Sequence, residues 1–296
     1  MSQDMDPNST SDQSDPTVLP TRAVVFEEAG RIRLGRLDGD DVVVDAGPAD
    51  DHGFHPTPAG WEVVRRADGP RYQLSELNLI APVRPGKIIA IGINYREHAA
   101  ESHNDIPDEP VVFAKFPSSV IGPNETIIVP REETRPDWEG EMAVVVGTPI
   151  YRATPATARS CIGAFTALND VSGRRAQLET PLQQFTLGKS FDTFTPIGPC
   201  LVEPTGVDLG RLRLTTDVNG ERMQDASTSQ MIFDAAELIE YVSRGMSLEP
   251  GDVIATGTPS GVGNRMDPPR YLREGDIVEV SVTHVGTLRN PVSLEP

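Results

Sequence analysis

Cysteine is scarce. Only Cys161 and Cys200 occur in 296 residues, both in apolar surroundings and at no metal-ligand spacing. That excludes a disulfide framework and a thiolate zinc site, and it fits a reducing compartment. Positive charge is short as well: Lys and Arg total 26 against 44 Asp and Glu, for a formal net charge of −18. Nothing is available to neutralise a phosphate backbone in bulk, which argues against nucleic acid as a partner. No apolar run approaches the roughly 20 residues that cross a bilayer, so no membrane association is expected. No basic stretch followed by an apolar segment opens the chain, so no signal peptide is visible. A cytoplasmic protein is predicted.

What is abundant is Pro and Gly, 27 and 26 residues, which favours turns and short strands over a helical bundle. The length suits one large domain, or a large and a small one. Residues 1–21 carry four Asp and no Lys or Arg, and are expected to form a disordered acidic tail. From Arg22 short alternating runs begin, among them Ala23–Phe26 and Val42–Val44, separated by turn signals such as Asp38-Gly39-Asp40-Asp41. They predict a small β-rich N-terminal subdomain over 22–80. His52 and His55, in its Gly/Pro-rich loop, read as surface histidines. Pro82–Gly86 reads as a linker, and the main domain is expected over 83–296.

The chain is organised around Pro136-Asp137-Trp138-Glu139-Gly140-Glu141, which runs into the β-branched stretch Met142–Val146 and Gly147. Strand alternation would put Asp137, Glu139 and Glu141 on one face at the entrance of a buried strand. An acidic triplet is commonly just a solvated strand end. Here the charges lead straight into a core strand, where mutual repulsion calls for a cation, protonation or open water. A second apolar run, Cys161–Leu168, delivers Asn169-Asp170 at its end, so Asp170 is a further oxygen ligand candidate. A divalent metal site is the favoured reading.

After the strand Lys87–Ile93 a short helix is expected, with His98 and Glu101 three residues apart on one face. A carboxylate beside an imidazole raises its basicity and fixes its orientation, as a general base requires, although a surface ion pair would look the same in sequence. Lys189 stands alone among apolar and hydroxyl residues and is a candidate anion anchor. Asn219-Gly220 is the strongest hairpin signal, and Phe233–Ser243 has helical spacing. Pro259–Gly263 is a tight Gly loop without the Lys and helix of a phosphate-binding loop.

Taken in order, these stretches resemble the fumarylacetoacetate hydrolase family. The matching text is Gly92-Ile93-Asn94-Tyr95 with His98 and Glu101, Asp137-Trp138-Glu139-Gly140-Glu141, Asn169-Asp170-Val171-Ser172, Gly188–Phe194, Asp217–Gly220 and Thr256–Gly263. The resemblance implies an α+β, predominantly β fold with a mixed β-roll catalytic domain, commonly a homodimer, holding Mg²⁺, Mn²⁺ or Ca²⁺. By position it implies Glu139, Glu141 and Asp170 as metal ligands, His98 and Glu101 as catalytic dyad and Lys189 as pocket lysine. Arg174, Gln177 and Thr258 fall at substrate-contacting positions. One departure stands out: Gly173-Arg174-Arg175 occupies the place where members often carry Ala-Arg-Asp, so Arg175 replaces an acid.

The segment Asp267–Asp276 looks most like members acting on 2,4-diketo sugar acids and acylpyruvates. The expectation is therefore a metal-dependent hydrolase cleaving the C–C bond of a small 2,4-diketo acid. In it a His98–Glu101-activated water attacks and a chelated pyruvate enolate leaves. Decarboxylation of oxaloacetate and isomerisation of an unsaturated hydroxy-diacid pass through the same enolate and are the alternatives. From another class, a catalytically silent metal-binding scaffold would be signalled by loss of a ligand or of the dyad; neither is lost.

Overall fold

The computed structural model describes residues 19–296. The acidic tail expected over 1–21 lies outside them but for its last three residues. Strands that are apolar at every position, rather than at alternate ones, are covered on both faces. Met142–Val146 is such a run, and all seven residues of its strand, Gly140–Val146, are buried. It lies within a twelve-stranded sheet between Ile162–Asn169 and Val253–Ala255, antiparallel to both. Alternate side chains enter two separate cores. Val144 and Val146 join Val24 and Phe165 on one face, whereas Ala143 and Val145 join Val25 and Leu201 on the other.

Each face has its cover. A five-stranded sheet contributes Leu214, Val278, Val280 and Leu288 to the first core. The helix Ala235–Ser243 adds Leu238, Ile239 and Val242 there. That helix starts two residues later than the spacing suggested, because the Asp234 carboxylate accepts the N–H groups of Ala236 and Glu237 and caps it. On the second face the helix Pro58–Arg65 buries Trp61 and Val64. Asn219 and Gly220 join Arg213–Val218 to Glu221–Ser227 with φ of 55° and 78°, the paired positive values of a type I′ hairpin turn. The fold is predominantly β. The N-terminal strands Arg22–Glu28, Arg31–Asp38 and Val42–Pro48 form a meander that continues the large sheet through Thr195–Val202. No helix among the described residues is long and apolar enough to cross a membrane.

Topology decides where chemistry can gather. Gly140 pairs with Asn169, so the start of one central strand meets the end of its neighbour. Ile88–Gly92 runs parallel to Val253–Ala255, so the segments that follow these two leave at one end of the sheet. Residues 93–101, 137–141, 169–174 and 256–263 therefore converge.

Candidate active site

Glu139, Glu141 and Asp170 are brought together, each buried and each with one carboxylate oxygen within 4.8 Å of the others. Asp137 does not join them, contrary to the one-face expectation. Its strand, Pro136–Asp137, pairs with Ser172–Gly173, and regular structure lapses at Trp138 and Glu139 before Gly140. At Gly140 the other sheet comes close: a Cβ there would lie 2.0 Å from Thr216 Oγ1. Asp137 faces away, accepting the N–H groups of Gly263 at 2.8 Å and Asn264 at 3.0 Å and pairing with Arg174 at 2.7 Å.

Three buried cations thread the carboxylates. Lys189 Nζ bridges Glu139 Oε2 at 2.6 Å and Asp170 Oδ2 at 2.7 Å. Arg174 joins Glu139 Oε1 to Asp137, and its Nη1 donates to Gln177 Oε1. Lys189 and Arg174 do line the cavity, as expected, but their charges are committed to carboxylates first. Gly188 sets the approach of the Lys189 segment, since a Cβ would come within 2.9 Å of Gln177 backbone and side chain.

Lys115 is the third cation, and sequence reasoning passed over it. Its Nζ donates to the carbonyls of Lys189 and Phe194 and lies 2.7 Å from Asp170 Oδ1. Burial pulls its pKa down, and the Asp170 carboxylate beside it works against that. The signal was present, because Lys115 is also a lone Lys in an apolar strand. Asn94 is a second omission. Its amide donates to Thr256 O and Phe233 O and accepts Phe233 N–H, tying the helix that carries His98 to the Thr256–Thr258 segment.

A cavity of about 110 Å³ opens beside this cluster. His98, Glu139, Arg174, Gln177, Lys189 and Thr258 all line it. Thr258 Oγ1 donates to Gly140 O and accepts from Gln224, so its hydroxyl is held by the protein. Arg175 is exposed and absent from the lining. His98 Nδ1 sits 3.1 Å from Glu101 Oε2, on the helix Arg96–Glu101. Glu101 Oε1 accepts Gly261 N–H at 3.0 Å, so the Gly loop steadies the carboxylate that steadies the imidazole. Ile93, also in the lining, has φ of 53°, a strained value for a β-branched residue.

The electrostatics split the carboxylates. Burial alone would raise Glu139, but Lys189 and Arg174 pull its pKa down to about 2. Glu141 goes the other way: burial, then the neighbouring Asp170 and Glu139, push it well above the usual carboxylate range. It accepts one N–H, from Gly257 at 2.8 Å. Asp170 Oδ1 is buried without a hydrogen bond, the Lys115 ammonium lying close but off the bonding angle. An all-oxygen set with a buried acceptor that no hydrogen bond reaches, and a carboxyl without an ion-pair partner among the described residues, fits a hard divalent cation.

This makes metal binding pH-dependent with a defined sign. With its pKa raised in the folded state, Glu141 stabilises the metal-free protein at low pH and ceases to do so as pH rises through that value. A cation replaces its proton. The Mg²⁺-induced rise in Tm should therefore be larger at pH 8 than at pH 6, as thermal unfolding with and without Mg²⁺ would measure.

Residues 87–293 match the family described as fumarylacetoacetate (FAA) hydrolase, C-terminal. The chain is 44% identical over 241 residues to the oxaloacetate tautomerase FAHD2B, mitochondrial, of Bos taurus, covering 79% of this chain and 76% of that protein. It is 45% identical over 227 residues to the oxaloacetate tautomerase YisK of Bacillus subtilis (strain 168), 75% of each. The crystal structure of 5-carboxymethyl-2-hydroxymuconate delta-isomerase from Mycobacterium smegmatis aligns with a TM-score of 0.77 at 33% identity, covering 93% of this chain and 99% of that one.

Proposed function

The chain belongs to the fumarylacetoacetate hydrolase family, and on that footing we propose that it is a tautomerase of a 2-oxo acid of the oxaloacetate type. The reading moves away from C–C hydrolysis toward the enol-based alternatives, in line with the names its relatives carry. The observation that carries it is the His98–Glu101 pair in the wall of a cavity also lined by Glu139.

In the enol-to-ketone direction the enol oxygen gives up a proton and C3 gains one. With Nδ1–H donated to Glu101, His98 keeps its lone pair on Nε2 and can take the first proton. Glu101 stabilises the imidazolium, and Gly261 N–H keeps that carboxylate in place. The same Nε2 then carries a proton for C3, so atoms and charge balance without a second base. Hydrolysis would ask for more, a positioned attacking water, and the two cations beside the carboxylates, Lys189 and Arg174, are already paired. We assign Glu139, Glu141 and Asp170 to a divalent cation, with Mg²⁺, Mn²⁺ and Ca²⁺ as candidates. Held by these three carboxylates, such a cation would supply Lewis acidity toward a 2-oxo acid. Phe113, Phe185 and Leu178 line the cavity and limit water. A homodimer and a cytoplasmic setting complete the proposal, the first from the family and the second from composition.

The test is decay of the enol form of oxaloacetate, followed by absorbance, in metal-stripped and Mg²⁺-replenished protein. Cation-dependent acceleration is expected. Faster release of pyruvate from oxaloacetate, or cleavage of acetylpyruvate, would favour the decarboxylase or the hydrolase instead.

A further inference from the structure

The cavity holds one cationic side chain that the carboxylate cluster does not absorb. Arg265 lines it from the short helical turn Gly263–Arg265, is exposed, and among the described residues has no carboxylate partner. The backbone that carries it is nevertheless held. Gly263 and Asn264 donate their N–H groups to the two oxygens of Asp137, and Asp137 is paired with Arg174. Asn264 Oδ1 is held by the Tyr271 hydroxyl at 2.9 Å. The turn that presents Arg265 is thus tied to the carboxylate cluster through one buried ion pair.

Charge balance says what such a group is for. Asp137, Glu139, Glu141 and Asp170 face Lys115, Lys189 and Arg174, four carboxylates against three cations. A divalent cation would turn that deficit into a single positive charge, which one substrate carboxylate neutralises. A second carboxylate drawn partly out of water at the cavity mouth gains from a cation of its own. Arg265 is the cavity-lining cation left for it, and a guanidinium suits a carboxylate in two-pronged geometry.

We propose that Arg265 binds the second carboxylate of the substrate and makes the site selective for 2-oxo dicarboxylic acids over 2-oxo monocarboxylic ones. This rests on the reading of the cavity as a 2-oxo acid site.

The first experiment compares kcat and KM of the Mg²⁺-loaded full chain on oxaloacetate and on its 4-methyl ester, which keeps the skeleton and removes the second charge. In Arg265→Gln the preference for oxaloacetate should fall about tenfold to hundredfold, the value of one charge-assisted hydrogen bond, chiefly through KM. Arg265→Lys should keep part of it. A parallel loss on both compounds, or no loss on either, overturns the proposal. The second experiment does not depend on turnover. Calorimetric titration of the Mg²⁺-loaded protein with 2-oxoglutarate and 2-oxovalerate, acids of equal chain length, should give tighter binding of the dicarboxylate in wild type and near-equal binding in Arg265→Gln. Equal binding in wild type overturns the proposal. Selective binding without tautomerase activity would leave Arg265 standing and remove the tautomerase reading.

Discussion

His98→Ala should lower kcat/KM for tautomerisation by about two to four orders of magnitude, the usual worth of a positioned general base. Among the described residues the side chain has one hydrogen-bonding partner to lose, Glu101, so the fold should persist. Glu101→Gln should cost less. The amide oxygen can still accept from Gly261 N–H, but the negative charge that stabilises the imidazolium is gone. Mg²⁺ affinity should remain in both variants, because neither residue belongs to the carboxylate cluster. Steady-state kinetics and a metal titration read both. A rate retained in His98→Ala with an undiminished need for Mg²⁺ would remove the dyad from the mechanism.

The second large effect separates two carboxylates that look alike in sequence. Glu141→Gln replaces a carboxyl already pushed toward its neutral form by burial, and Gly257 N–H keeps an oxygen to bind. Metal-free stability should change little. Mg²⁺ affinity should fall by more than the roughly 10–100-fold that an outer-shell partner is worth, and activity should be lost with it. Glu139→Gln should also lose the metal, but it strips a charge from two buried cations, Arg174 and Lys189. Breaking such a pairing costs about 3–5 kcal/mol, so this variant should melt earlier even without metal. Thermal unfolding of both variants with and without Mg²⁺ makes the comparison. A full Mg²⁺ response in Glu141→Gln would exclude that residue as a ligand.

Much of this was legible because local rules sufficed. The apolar run after Glu141 marked a buried strand, Asn219-Gly220 marked its hairpin, and the three-residue spacing placed His98 against Glu101. Asp170 was found because an apolar run delivers it. What stayed hidden depends on distant contacts. Asp137 leaves the common face because the strand breaks at 138–139 and its carboxylate is taken up by Gly263, Asn264 and Arg174, and alternation along one strand cannot register that. A lone Lys in an apolar segment announces a buried partner without naming it. Lys189 reaches Glu139 and Asp170, and Lys115 reaches Asp170 from an edge strand. The reaction is less legible still, since cleavage, decarboxylation and tautomerisation of a 2-oxo acid share one enolate and one set of motifs.

That shared enolate also fixes the most direct measurement. Oxaloacetate incubated in D₂O with catalytic amounts of the Mg²⁺-loaded protein, followed by ¹H NMR, reports proton exchange at C3 and the fate of the carbon skeleton together. The account predicts deuterium incorporation at C3 well above the uncatalysed rate, with the four-carbon acid intact. Pyruvate formed faster than C3 exchanges, or exchange no faster than in buffer, would contradict it.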